Sequence, residues 1–377
     1  MPLPLLSRRR FLSLPAALAA GTSATAVAAV SGARFVACEI GGAPASGGRL
    51  ERMKKNPYWA DGVFHNAYDN PAPATQPEAR WKKVRHLFAE KSPDLKPRSV
   101  IPHEKTDLST LKDGDMVWLG HSGFVLRAAG LTIGIDPALN SACPIPGFFT
   151  PFAGADVYQA ADIPALDVLI ITHDHYDHLD YPVIRDLKNR VRHVVCPLGV
   201  GAHFEAWGYE PQRITELEWW EEARLAPHVR LTCLPSQHFS GRTLTMNTTL
   251  WAGFMLELDG YRLFLSGDSG WSPHFATVAR AFPSIDLALL EDGQYNENWS
   301  AIHMMPQAWR RALSELSPKV VMPCHNSKYA LSRHAWNDPL LHARESAAAL
   351  ATPLATPLIG SRLSLNDPMA AAKIWWS

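Results

Sequence analysis

The chain carries no excess of either charge. Its 36 Lys and Arg are matched by 36 Asp and Glu over 377 residues, for a formal net charge of zero. Nucleic-acid binders carry a basic excess or a basic stripe, and neither is present, so no nucleic-acid partner is expected. Cysteine is sparse as well. The five residues, at 38, 143, 196, 233 and 324, form no C-x-x-C pair. That removes a thiolate metal motif and a dithiol redox centre, and the odd, scattered count argues against a disulfide framework. No internal repeat is visible. What the chain has in quantity is histidine, 16 residues, and tryptophan, 13. A hydrophobic fraction of 47% and a charged fraction of 19% are those of a chain with a substantial core. The length suits one large domain or two ordinary ones.

The N-terminus reads as an address. Ser7-Arg8-Arg9-Arg10-Phe11-Leu12 precedes an uncharged, Ala-rich stretch from 11 to 33, the order of a charged n-region and an h-region. The Ser-Arg-Arg-x-Phe-Leu string resembles a twin-arginine signal, which an export machinery reads as a receptor address. Pro15 and the many Ala, Ser, Thr and Gly residues make it a poor permanent span. The competing reading is an uncleaved anchor helix. Two processing outcomes fit: cleavage after Ala28, or lipidation of Cys38 within Phe35-Val36-Ala37-Cys38, a lipoprotein-type box and thus a lipid anchor to the membrane. Either outcome predicts a periplasmic protein, free or membrane-anchored, with residues 1–38 outside the fold.

Residues 39–110 are expected to form a tether and a wrapping segment. Gly and Ala dominate 41–48, as in flexible linkers. Pro71, Pro73, Pro77, Pro93, Pro97 and Pro102 exclude long regular elements, apart from a short helix near 78–90. From Met116 short apolar runs appear between turn residues. Strands are predicted at 116–119, 124–127, 131–135, 168–172, 193–195, 229–234, 250–258, 261–266, 287–290 and 320–322. Helices are predicted at 183–190, 200–207, 273–281, 306–316 and near 339–350. Strands dominate the first half and alternate with helices in the second. That predicts an α/β layered (α+β) domain of stacked sheets with helices outside, spanning 111–365.

The segment Leu169-Ile170-Ile171-Thr172-His173-Asp174-His175-Tyr176-Asp177-His178 puts a burst of metal-ligating residue types at the end of an apolar strand. In extended chain, alternate side chains share a side, so His173 and His175 can meet one metal. Asp177 and His178 fall where the chain should turn, toward a neighbouring metal. His238, Asp268 and His325 each follow a predicted strand, where such sites are built. Imidazole and carboxylate donors suit zinc, and also iron or manganese. A structural zinc site closes with four ligands and favours cysteine, so an open histidine and carboxylate site points to catalysis. A carboxylate has two oxygens and can touch two cations about 3.5–4 Å apart, a role open to Asp268.

The H-x-H-x-D-H run is the signature of the metallo-β-lactamase superfamily. Thr172 to Asp180, Glu218-Trp219-Trp220-Glu221, Ser236-Gln237-His238 and Gly267-Asp268-Ser269-Gly270 together resemble the N-acyl-phosphatidylethanolamine phospholipase D group and its bacterial relatives. Gly120-His121-Ser122 and Ile135-Asp136-Pro137 fit the same pattern. The likeness runs from about 50 to 360. It implies an αβ/βα sandwich and two divalent metal ions. His173, His175 and His238 would hold one, Asp177, His178 and His325 the other, and Asp268 would bridge them. It also implies phosphodiester hydrolysis, with hydroxide bridging the metals as nucleophile and a small-molecule or phospholipid substrate. Asn326 departs from the Trp expected after His325. Cysteine, common where Asp268 stands in true β-lactamases, is missing, which weakens a β-lactam substrate.

Other residues divide between site and scaffold. Asp136 ends a strand, where it orients a ligand histidine or simply caps the strand. His121 lines the site or is an ordinary buried histidine. His303 in Ala301-Ile302-His303 is the candidate for substrate contact or leaving-group protonation. Asp174 is expected to bond loop backbone, not metal, and Cys324 to be core. Trp219, Trp220, Trp299 and Trp309 are core by default or line an apolar groove for an acyl chain. A lactonase or amidase of the same fold is the alternative enzyme, and a non-catalytic metal-binding module is disfavoured by the full ligand set.

Overall fold

A computed structural model of the chain describes residues 40–68, 92–145, 147–242 and 245–376. The signal segment and the helix expected near 78–90 lie outside the described residues. None of the described helices is long and apolar enough to cross a membrane.

The strands are β1 (Trp59–Ala60), β2 (Val63–Phe64), β3 (Asp115–Trp118), β4 (Phe124–Ala128), β5 (Leu131–Ile135), β6 (Leu166–Ile170), β7 (Val191–Pro197), β8 (Ile214–Leu217), β9 (Glu222–Ala226), β10 (Val229–Leu234), β11 (Gly253–Leu258), β12 (Tyr261–Leu265), β13 (Leu287–Glu291), β14 (Val320–Cys324) and β15 (Arg362–Ser364). The helices are α1 (Gly47–Lys54), α2 (Tyr181–Leu187), α3 (Gly201–Ala206), α4 (His274–Ala281), α5 (Pro306–Leu316) and α6 (Asp338–Ala349). One sheet has the order β15-β3-β4-β5-β6-β7-β8 and the other β14-β13-β12-β11-β10-β9.

Period-two alternation sorts the strand residues into layers. Phe124 and Leu126 of β4, Phe254 and Leu256 of β11, Leu263 and Leu265 of β12, and Leu287 and Leu289 of β13 meet in one core between the sheets. Their neighbours face outward. Val125 joins Val183, Ile184 and Leu187 of α2 and Phe204 of α3. Met255, Phe264, Ala288 and Leu290 join Phe275 of α4, Ala343 of α6 and Trp309, Ala312, Leu313 and Leu316 of α5. The α5 residues recur at the spacing of one helical face, and Pro306 opens that helix where a missing N–H costs nothing. Helix, sheet, sheet, helix is the αβ/βα sandwich.

Strand direction places the site. β5, β6 and β7 are mutually parallel, and β3 reaches the same direction through antiparallel β4. In the second sheet β12, β13 and β14 are parallel, and β10 matches them through antiparallel β11. The loops leaving the carboxyl ends of β3, β5, β6, β10, β12, β13 and β14 therefore gather at one edge of the sandwich, where open α/β sheets bind ligands.

The domain organisation departs from the predicted one at both ends of the folded region. Residues 41–48 are no free tether: Ala43 N–H donates to His203 Nδ1 at 3.2 Å. In α1, Arg49 pairs with Glu205 at 2.7 Å and Glu216 at 2.6 Å. Glycine content suggested a linker, but α1 is docked by ion pairs to residues remote in sequence and buries only Met53 of its own. The packing also continues past 365, because β15 pairs with β3 and Trp375 and Trp376 are buried in the core between the sheets.

Candidate metal centre

β6 ends at Ile170, earlier than the predicted 172. The Asp136 side chain captures the chain there. Its Oδ1 accepts the Thr172 N–H at 2.9 Å and its Oδ2 the Thr172 hydroxyl at 2.6 Å, competing with the ladder as short polar side chains do. His173 and His175 thus leave the strand in a loop. The turn expected after them is present, with His178 N–H and Leu179 N–H on the His175 carbonyl at 3.1 and 2.8 Å.

The seven predicted ligands converge in two groups. His173, His175, His238 and Asp268 place ligand atoms within 4.8 Å of one another. His175 Nδ1 lies 2.8 Å from His173 Nε2 and 3.2 Å from His238 Nε2. In the second group, Asp177 Oδ2 lies 3.5 Å from His325 Nε2 and 3.9 Å from His178 Nε2. His121 completes that group. Asp268 touches both. Its Oδ2 is 3.8 Å from His173 Nε2, 3.7 Å from His238 Nε2 and 2.9 Å from His325 Nε2, and its Oδ1 is 3.2 Å from His178 Nε2.

Hydrogen bonds on the far side of the rings fix which nitrogen faces inward. His178 Nδ1 donates to Asp136 Oδ2 at 2.8 Å and His238 Nδ1 to the Ile302 carbonyl at 3.0 Å. His173 Nδ1 donates to Thr172 Oγ1 at 3.0 Å, whose hydroxyl continues to Asp136. Asp136 thereby orients one histidine in each group, as carboxylates behind ligating histidines do. Burial would raise Asp268, but His178 and His325 outweigh it and hold its carboxyl well below the usual range. Burial is likewise outweighed at Asp177, by His121 and His325. Burial, with His178 and His175 beside it, keeps His173 well below the usual imidazole range, and His238 is depressed likewise by burial. The centre thus offers ionised carboxylates and, at His173 and His238, neutral imidazole lone pairs. Against burial, Asp268 and Asp136 hold His178 well above the usual imidazole range, and Asp268 and Asp177 push His325 up to about 9. Those two rings would give up a proton to bind a cation. His178 Nε2, His325 Nε2 and Asp268 Oδ1 are buried and make no hydrogen bond. Orphaned inward-facing donor atoms of this kind fit divalent cations held by nitrogen and oxygen.

His303 is at the centre, with a ring nitrogen within 4.8 Å of Asp268 and His325 ligand atoms. Its Nδ1 is 2.9 Å from Glu291 Oε1, and burial pushes its imidazole down to about 4. The sequence reading missed Glu291, although an acidic residue ending the apolar run of β13 was a usable signal. It also missed Asn66, whose Oδ1 accepts the His238 N–H at 3.1 Å and whose amide donates to the His238 carbonyl at 2.8 Å. Arg242 is a third omission. It is buried, donates to the Asp174 and Leu179 carbonyls at 2.8 and 2.6 Å, and lies 4.2 Å from the Tyr176 ring centre. Asp174 bonds the Gly241 N–H at 2.7 Å, clear of the metal groups. Cys324 is core, and Asn326 Nδ2 donates to the Asp292 and Cys324 carbonyls. Trp219, Trp220 and Trp309 do not share a groove: Trp219 belongs to the inter-sheet core, Trp309 to the core under α5, and Trp220 is 43% exposed.

Gly270 is required by close approach. A Cβ there would collide with the Ala301 carbonyl, displacing Ile302 and so the bond that orients His238. Gly270→Ala is expected to cost about 1–3 kcal/mol by overpacking. Thermal melting checks this, with a lower Tm expected and an unchanged one counting against it.

A family model described as Beta-lactamase superfamily domain matches residues 133–326. An uncharacterized protein of Mycobacterium tuberculosis is 31% identical over 333 residues, covering 86% of this chain and 88% of that one. The N-acyl-phosphatidylethanolamine-hydrolyzing phospholipase D 1 of Caenorhabditis elegans is 29% identical over 197 residues, 48% of this chain and 54% of that enzyme. Among solved structures, a metallo hydrolase from Ignicoccus hospitalis superposes with a TM-score of 0.53 at 19% identity, covering 66% of this chain and 97% of that one. This last likeness is one of fold.

Proposed function

Since the chain belongs to the β-lactamase superfamily and is a metal-dependent hydrolase with phospholipase D-like relatives, we propose that it is a two-metal phosphodiesterase acting on phospholipid. The observation that carries the two-metal part is Asp268, whose two oxygens reach histidines of both ligand groups. His173, His175 and His238 would hold one cation, Asp177, His178 and His325 the other, with Asp268 shared. The donor set holds no thiolate, which suits zinc and also admits iron or manganese. Two bound divalent cations supply Lewis acidity that activates water near neutral pH and stabilises charge on substrate oxygens.

The chain supplies the geometry. Asp136 and the Ile302 carbonyl hold three histidines with their lone pairs inward. Glu291 fixes the His303 ring through Nδ1, leaving Nε2 for one hydrogen bond to substrate or leaving group. The loop that leaves Asp136 exposes Ile145, Phe148 and Phe149, an apolar surface that suits an acyl-bearing substrate. Export through the twin-arginine machinery belongs to the same proposal and rests on the Ser7 to Leu12 string.

A phosphodiester spreads charge over several oxygens that two cations can clamp, whereas a lactone or amide develops one oxyanion. The test is kcat/KM for an acyl-phosphatidylethanolamine and a lactone on one zinc-loaded preparation. The phosphodiester is expected to lead by tenfold or more; a lactone lead of that size would make the protein a lactonase.

A further inference from the structure

Beyond the seven ligands, and resting on the two-metal reading above, we propose that His121 is a positioning residue of the second metal group, donating its Nε2–H to Asp177. The residue follows β3 and is fully buried. Its Nε2 lies 2.9 Å from Asp177 Oδ2, the same oxygen that faces His178 and His325. Its Nδ1 is buried and makes no hydrogen bond. That decides the tautomer. A buried N–H without an acceptor is rare, while a bare acceptor is better tolerated. The proton therefore sits on Nε2, where Asp177 accepts it, and His121 turns no inward lone pair toward a cation. It orients a ligand; it is not a ligand.

The backbone shows how firmly the ring is held. His121 and His325 both adopt left-handed conformations, with φ of 56° and 66°, which side-chain-bearing residues occupy only when the surroundings over-determine them. Here they clamp each other. His325 N–H donates to the His121 carbonyl at 3.0 Å, and His121 N–H donates to the Asn326 carbonyl at 3.2 Å. Trp118 Nε1–H holds the same His121 carbonyl at 2.8 Å. The His121 ring then lies 4.0 Å from the His325 ring and 5.0 Å, edge on, from Tyr329. One device thus sets two members of the second group: the imidazole fixes Asp177, and the backbone clamp fixes His325. Nothing comparable ties His121 to His173, His175 or His238 among the described residues, so its effect should fall on one cation alone.

The experiment is a calorimetric titration of metal-free protein with Zn²⁺ for wild type, His121→Phe and His121→Gln. Phenylalanine keeps a ring against His325 but cannot donate; the glutamine amide occupies the place of Nε2 and can. Both carry the same backbone strain. Wild type is expected to bind two equivalents. Phe should bind the first as wild type does and the second about 10–100-fold more weakly, the usual cost of losing a residue behind a ligand. Gln should recover most of that loss. A Phe variant with both affinities within twofold of wild type overturns the proposal. Equal weakening of both equivalents, or a Gln variant as weak as Phe, overturns it too, since the first marks general disruption and the second a role without the donor. Uptake of one equivalent by wild type refutes the two-metal reading itself.

Discussion

Asp268→Asn is expected to lower kcat/KM for a phosphodiester by about three orders of magnitude, on the order of 4 kcal/mol of transition-state stabilisation. Asparagine preserves the size of the side chain but removes the negative charge and one metal-binding oxygen. In the native centre Oδ2 reaches His173, His238 and His325 while Oδ1 reaches His178. An amide cannot serve both groups with lone pairs. The two cations would then repel each other with less compensation, and the activation of water would weaken. The effect should appear in kcat more than in KM, because the charge matters most where charge develops. An asparagine variant with more than a tenth of wild-type kcat/KM would show that Asp268 does not link two metals.

Metal removal is expected to have a comparably large effect on stability. The centre buries Asp177 and Asp268 as ionised carboxylates, and buried charges without full compensation are costly. A cation present at about 1,000 times its Kd stabilises the folded state by about 4 kcal/mol. Two such cations in a domain of this size correspond to a Tm shift of roughly 10–20 °C. Melting curves of chelator-stripped and zinc-reloaded protein measure it. Curves that superimpose would mean the ligand groups hold no metal in the folded state.

Much of this centre was readable before the fold was known, for a physical reason. Four of the seven candidate ligands follow the end of an apolar run, and apolar runs are what a sequence displays best. The strand ends of β6, β10, β12 and β14 therefore announced His173, His238, Asp268 and His325. What stayed hidden depends on contacts remote in sequence. Arg49 of α1 reaches Glu205 and Glu216, so a glycine-rich stretch that looks like a linker is docked. β9 alternates exposed and half-buried residues at a sheet edge, without the apolar run that marks an inner strand. β15 is a short edge strand that exists through its pairing with β3. His121 could be a core histidine or a site residue until Asp177, far along the chain, is seen beside it. Glu291 is different. Its position at the end of β13 matches that of the ligands, but carboxylates at strand ends are common, and its partner His303 lies on a separate loop.

The proposed reaction needs two cations held on either side of one carboxylate. Anomalous diffraction at the zinc edge, from crystals of zinc-loaded protein, measures that directly. The expected map has two peaks about 3.5–4 Å apart, one among His173, His175 and His238, the other among Asp177, His178 and His325, with Asp268 in contact with both. A single peak within the centre, or zinc bound only elsewhere on the protein, would contradict it.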